Sequence, residues 1–298
     1  MRINKILGIF CFLLYAVEGI SAEMTYIYNA PESALDKRYQ FHWAILETAL
    51  KRTTKEFGAY RMVQAELMSE RRQVKEMLSA SGKITVMYLD SNPDFEGKLT
   101  PVRIPVDKNL VGYRVFLIRK QDKFKFENIQ TLNQLRAFTY GQGLGWIDVK
   151  ILEANHFTVV SGSSYEGLFN MLAHGRFDVF PRGAVEILGE YESHKKQLPD
   201  LFIEPNIILY YPLPMYFWFS NNRQGKELAK RAAQGMYKMI DDGSYDTLFE
   251  QYHGENIRKL QLNKRKIFRI DNPLLGKETP FNDKRLWFEI KPSSKLMR

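Results

Sequence analysis

The sequence predicts an α/β protein built from two successive units, each with parallel strands. Residues 24–89 read strand, helix, strand, helix, strand, which is the pattern of a parallel sheet covered by helices. The same alternation restarts after residue 130. At 298 residues and 45% hydrophobic content, the chain is long and apolar enough for one large or two modest cores.

The elements follow in order. Residues 24–28 alternate as a first strand, which Asn29 and Pro31 break. Apolar and aromatic residues at 41, 44, 45 and 50, with Thr48 on the same stripe, place a helix over 34–53. Residues 60–67 alternate as a strand, 69–79 read as a helix, and 84–89 are a continuous apolar strand buried on both faces. Pro93, Gly97 and Pro101 mark 91–102 as a loop, and 115–118 is a further buried strand. The second unit runs through a short helix at 132–135, a strand at 138–140, a helix at 147–155 and a strand at 157–160. Ser163 with Glu166 reads as a capping box for the next helix. Gly175 stops that helix, and 177–180 is a strand. Apolar strands at 207–211 and 215–219 flank Pro212 and Pro214. A long helix over 225–240 stops at Asp242-Gly243, and a last helix runs from Ser244 to Tyr252.

Charge narrows the function class. The net charge is +9, but residues 23–254 hold 29 basic and 28 acidic side chains, and 255–298 hold 12 basic and 5 acidic. A balanced body offers no electrostatic footprint for nucleic acid. A mean hydropathy of −0.35 excludes a multi-span membrane protein. One cysteine excludes a disulfide framework and a cysteine-rich metal site. The five histidines form no zinc motif, so no metal and no cofactor is expected. No G-x-S-x-G is present, and no residue is assigned a catalytic role.

Residues 1–22 read as an export signal. Arg2 and Lys5 precede a 12-residue apolar run, too short to span a bilayer comfortably, and Ser21-Ala22 suits a signal peptidase. Cleavage after Ala22 is expected, with the mature chain in the periplasm; an uncleaved anchor is the alternative. The single cysteine, Cys11, falls inside that run, so the mature chain has none.

Two stretches resemble the polar amino-acid-binding family of bacterial extracellular solute-binding proteins. The first is the 234–254 segment, with Asp242-Gly243-Ser244-Tyr245 between two helices. The second is 168–178, ending in Gly175-Arg176-Phe177-Asp178. Their order and spacing agree with the family over about residues 23–254. The resemblance implies a two-lobed type II periplasmic binding protein fold with two hinge strands, near Phe116 and Phe217. Lobe 1 is then 23–115 with 215–298, lobe 2 is 120–210, and 255–298 is a basic extension of lobe 1. Such proteins close around a ligand that bridges both lobes.

The resemblance also nominates ligand-binding residues. Arg103 stands where the family holds the ligand carboxylate, although the surrounding family pattern is absent and a surface arginine is the other reading. Gly143 and Trp146 belong to a Gly-x-Gly-x-Gly turn at a helix start, a place for an anionic or polar group or simply a packing turn. Asp178 is structural. Arg182 stands where the family often has an acid, which favours a more anionic ligand; a salt bridge to a neighbouring helix is its plainer role. Glu186 is available to an amine. Tyr28, Tyr88, Ser91 and Tyr216 follow from strand-end position, and Glu32 from the mouth of the first helix, where it also complements the helix dipole.

The extension carries Phe268, Leu274, Leu275, Phe281, Trp287 and Phe288, too many large apolar groups for a free tail, so it is expected to dock on the body. Its basic face suits an acidic partner or lipid, or only solvent. The expected function is capture of a small polar, carboxylate-bearing solute by a monomer that serves a membrane permease or sensor. The alternatives are a periplasmic dehydratase or lyase on the same fold, and a signalling or envelope-interaction module with a lost ligand site.

Overall fold

A computed structural model describes residues 23–30, 39–68 and 70–291. The export signal and Glu32 lie outside them. Lobe 1 begins with β1 (Met24–Tyr28), α1 (Gln40–Arg52), α2 (Thr54–Phe57), β2 (Tyr60–Gln64), α3 (Glu70–Leu78), β3 (Val86–Asp90) and β4 (Leu99–Val102). Lobe 2 is built from β5 (Tyr113–Arg119), α4 (Leu132–Arg136), β6 (Thr139–Gly143), α5 (Ile147–Ala154), β7 (Thr158–Gly162), α6 (Tyr165–Ala173), β8 (Phe180–Gly183), α7 (Ile187–His194), β9 (Leu201–Ile203) and β10 (Ile207–Tyr210). The chain then returns with β11 (Met215–Ser220), α8 (Arg223–Asp241), α9 (Ser244–Leu260) and β12 (Lys266–Arg269).

The first sheet has the order β2-β1-β3-β11-β4, with β1 parallel to both neighbours. The returning strand β11 runs antiparallel, pairing Met215 with Asp90 and Phe219 with Val86. Its alternation sends Phe217 and Phe219 into the core under α1 and α8, while Tyr216 and Trp218 pack with Met77 and Met87 on the opposite face. The 91–102 segment is not wholly a loop: its end forms β4. Pro101 is tolerated because β4 is an edge strand whose outer side needs no ladder bond.

The second sheet has the order β12-β10-β5-β8, with β9 also on β5, and β6 pairs in parallel with β7. Asp178 ties this lobe together: its carboxylate accepts from the Thr139 N–H (3.0 Å) and hydroxyl (2.8 Å) and faces Arg119 at 3.4 Å. The α6 cap is Ser164, not Ser163, with Gly167 N as its donor.

Two segments, 103–112 and 211–214, cross between the lobes and are bonded to each other. Tyr211 N donates to Gly112 O at 3.2 Å and Leu213 N to the Asn109 side chain at 2.6 Å, and Val106 N donates to Met215 O, at the start of β11, at 2.9 Å. A side chain at Gly112 would overlap the Tyr211 carbonyl, so this crossing requires glycine. Asp107 is fully buried there, and its carboxylate accepts from Asn109 N (3.0 Å) and Val111 N (2.9 Å). Burial raises the Asp107 pKa to about 7, against the pull of those two N–H groups.

The basic extension departs from the sequence expectation in two ways. Helix α9 continues to Leu260, and β12 joins the lobe 2 sheet in parallel with β10 instead of staying with lobe 1. The register, Ile207 with Lys266 through Tyr210 with Arg269, follows from a strand edge that β10 leaves open. The chain then turns back. Asn272 donates to Pro212 O (2.8 Å), Phe288 N to Lys108 O (2.7 Å), and Tyr113 OH to Phe288 O (3.0 Å). The Phe288 ring lies against Tyr113 and Phe249. The extension thus docks along both crossing segments.

Candidate functional site

The ends of β3 and β8 and the start of α5 face each other across a gap beside the crossing segments. Its empty space is about 860 Å³, open solvent at the mouth included. Lobe 1 supplies Tyr39, His42, Tyr88, Asp90, Asn92 and Phe95. Lobe 2 supplies Trp146, Asp148, Arg182 and Glu186, and Arg114 stands where β5 leaves the crossing.

The lobe 1 wall is aromatic. The His42 and Tyr88 rings stack at 3.6 Å and 16°, and Tyr39 meets Tyr88 edge-on at 6.3 Å. Burial holds the Tyr88 hydroxyl far above its ordinary pKa, so it stays neutral. Asp90 and Asn92 follow directly where β3 ends, so both polar groups arrive at the rim of that wall.

The lobe 2 wall is a buried ionic array. Arg182 donates from Nε to Glu190 at 2.8 Å and from Nη2 at 2.7 Å, and Glu186 stands 3.1 Å away. Its guanidinium also lies over the Trp146 and Phe180 rings, 5.0 and 4.9 Å from their centroids. Arg114 pairs with Asp148 at 2.6 Å, with Glu186 further off at 3.8 Å, and Tyr211 donates its hydroxyl to Asp148. Burial opposes charge on both arginines, yet the carboxylates outweigh it and hold both pKa values above the ordinary arginine value. The Arg114 Nε–H is buried and has no hydrogen-bond partner among the described residues. Trp146 is fixed from below by Gly143, where a side chain would overlap the indole.

Of the nominated residues, Tyr88, Trp146 and Arg182 line the gap, and Gly143 supports it. Ser91 lies between two lining residues, but it is buried and its N–H bonds Pro214 O at 3.0 Å. Arg103 sits outside the lining, clamped on Glu96 by bonds of 2.9 and 2.7 Å. Tyr28 packs against Trp43 at 4.8 Å, and Tyr216 points to the far side of the first sheet. Arg103 and Arg182 therefore do not meet in the gap, and Arg182 makes the salt bridge given as its plainer role. Glu186, noted for a possible amine, does line it. Sequence reasoning passed over Arg114, Asp148, Asp90 and His42. Arg114 carried a signal: it is the one charge inside the otherwise apolar and aromatic run 113–118. Asp148 carried another, as an acid in the first turn of the helix after the glycine turn.

Among the described residues no helix is long and apolar enough to cross a membrane, and no group of three or more His, Cys, Asp or Glu is placed to hold a metal ion. No family model matches the sequence, and no curated protein matches it. Solved structures do match. An ancestral arginine-binding protein bound to arginine is 16% identical with a TM-score of 0.53, over 77% of this chain and 98% of that one. A Salmonella typhimurium periplasmic binding protein of high arginine specificity is 14% identical with a TM-score of 0.53, over 77% and 99%. A structure from work on glutathione import by GshT and a cystine ABC importer of Streptococcus mutans is 15% identical with a TM-score of 0.54, over 78% and 95%. With two sheets joined by two crossing segments and a gap between them, the chain has the two-lobed type II periplasmic binding protein fold.

Proposed function

We propose that this chain captures a small zwitterionic solute, an amino acid or a close relative, between its lobes, outside the cytoplasm. It then presents the loaded form to a membrane permease or sensor. The observation that carries this reading is Arg114: a buried guanidinium on the gap wall with an unpartnered Nε–H, next to the carboxylates Asp148 and Glu186. A ligand carboxylate satisfies that donor, and an ammonium group is matched by Asp90 and Glu186. Trp146 and the His42–Tyr88 stack offer flat apolar faces to the rest of the solute. A ligand touching both walls stabilises the closed arrangement alone, which is how a binding protein signals its loaded state.

Among the described residues the lining holds two arginines and three carboxylates, Asp90, Asp148 and Glu186, and both arginines are engaged by acids. This favours a zwitterion or a cationic amino acid over a dicarboxylate. A thermal-shift screen of amino acids, dicarboxylates, oligopeptides and sugar acids tests it. At a ligand concentration of 100 Kd the folded state gains about 2.7 kcal/mol, a readily measured rise in Tm. A rise with amino acids and none with dicarboxylates is expected; the reverse order, or no rise with any amino acid, refutes the reading.

A further inference from the structure

A second chamber lies at another edge of the interlobe gap, with about 670 Å³ of empty space, open solvent included. Lobe 1 contributes Gln40 from α1 and His253 and Asn256 from α9, and lobe 2 contributes Gly189 and Glu190 from α7. Among the described residues it shares only Val185 and Glu186 with the first chamber.

His253 is the unusual group here. It is 6% exposed, and neither ring nitrogen has a hydrogen-bond partner among the described residues. Buried side-chain polar atoms are nearly always paired, so an imidazole with both nitrogens unpaired against a cavity points to a group that enters the cavity. Its protein neighbours do not supply partners: the Phe41 and Phe249 rings lie 4.4 and 5.2 Å away, and both are apolar.

We propose that this chamber is a second ligand site bridging the lobes, and that it takes an uncharged group carrying both a hydrogen-bond donor and an acceptor, such as a primary carboxamide or a hydroxyl. The charge state follows from the wall. The carboxylates of Glu186 and Glu190 are held by Arg182, Gly183 N and Tyr165 OH, so the polar groups left to a ligand among the described residues are His253, Asn256, Gln40 and the Tyr252 hydroxyl. Burial lowers the His253 pKa to about 4, so at neutral pH the ring presents one donor and one acceptor and no charge. Among the described lining residues an anion meets two carboxylates and no cation. A cation meets carboxylates whose lone pairs are already shared. Because α9 and α7 belong to different lobes, an occupant touching both favours the closed state.

The test is a nitrogen-15 NMR titration of the histidine-labelled chain with acetamide, glycerol, acetate and methylammonium. His253→Phe keeps the ring packed between Phe41 and Phe249 and assigns the His253 signal by its loss. The expected result is a saturating His253 shift with acetamide or glycerol at millimolar concentration, a strength in line with the ligand-efficiency ceiling for so few atoms. Asn256→Ala is expected to weaken that response by about threefold or more while leaving the His253 signal visible, as loss of one hydrogen bond predicts. A shift that stays linear with every probe overturns the site. Saturation by acetate or methylammonium at lower concentration than by the neutral probes overturns its chemistry. An unchanged response in Asn256→Ala removes Asn256 from it.

Discussion

Replacing Arg182 by Met separates the architecture of lobe 2 from its charge. Arg182 is 2% exposed and makes a two-bond pair with Glu190, itself 4% exposed, plus a 3.1 Å contact with Glu186. Met fills much of the same volume but leaves Glu190 with Tyr165 OH as its remaining side-chain partner and Glu186 with Arg114 at 3.8 Å. Removing one member of a buried pair typically costs about 3–5 kcal/mol, mostly from the stranded charge. The lost cation–π contact with Trp146 adds about 1 kcal/mol. Urea denaturation followed by circular dichroism reads this directly. With a slope of about 2–3 kcal/mol per molar, the midpoint falls by roughly 1.3–3 M. Adding Glu190→Gln removes the stranded charge and is expected to restore about half of the loss or more, since a buried pair is nearly neutral against an uncharged replacement. A single-variant cost under about 1 kcal/mol, or a double variant no more stable than the single, refutes the claim that the array holds lobe 2 by paired charge.

Three further outcomes follow from the same structure. Gly143→Ala drives a methyl into the Trp146 indole, so affinity for the solute should fall about tenfold or more, with Tm changed far less; calorimetry and thermal denaturation on one sample check both. Asp107 has a folded pKa of about 7 against about 3.9 unfolded, so the folded state binds its proton more tightly, and stability falls as pH rises from about 4 to about 7, by up to about 4 kcal/mol. Asp107→Asn should lack that component when urea midpoints are compared between pH 5 and 8; an unchanged slope refutes it. Phe288→Ala strips a half-buried ring from Tyr113 and Phe249 and should cost about 1–2 kcal/mol in the same assay, whereas an undocked tail predicts no change.

Most of the scaffold could be read from periodicity alone. The apolar runs 84–89, 115–118 and 215–219 are central strands, and the helices that cover the sheets have the 3.6-residue stripe and clear stops at Gly175 and Gly243. What periodicity lacks is partner choice. β12 escaped because a short charged segment becomes a strand only against the open edge of β10, and β4 because Pro101 is excluded from central strands but not from an edge. The same gap explains the site. Tyr88 and Tyr216 looked equivalent by position, yet the β3–β11 register turns one toward the gap and the other away. Arg103 occupied the expected point in the chain, but Glu96 seven residues earlier captures it. Arg114 gains its role only once Asp148 and Tyr211, 34 and 97 residues later, fold beside it.

The most direct test of the clamp is a calorimetric titration of the best-binding amino acid against the wild type and two variants on opposite walls, Asp90→Asn on lobe 1 and Trp146→Ala on lobe 2. If the solute bridges the lobes, each variant should lose about tenfold or more in affinity, about 1.4 kcal/mol. Full affinity in either variant, or no saturable heat with any amino acid, contradicts it.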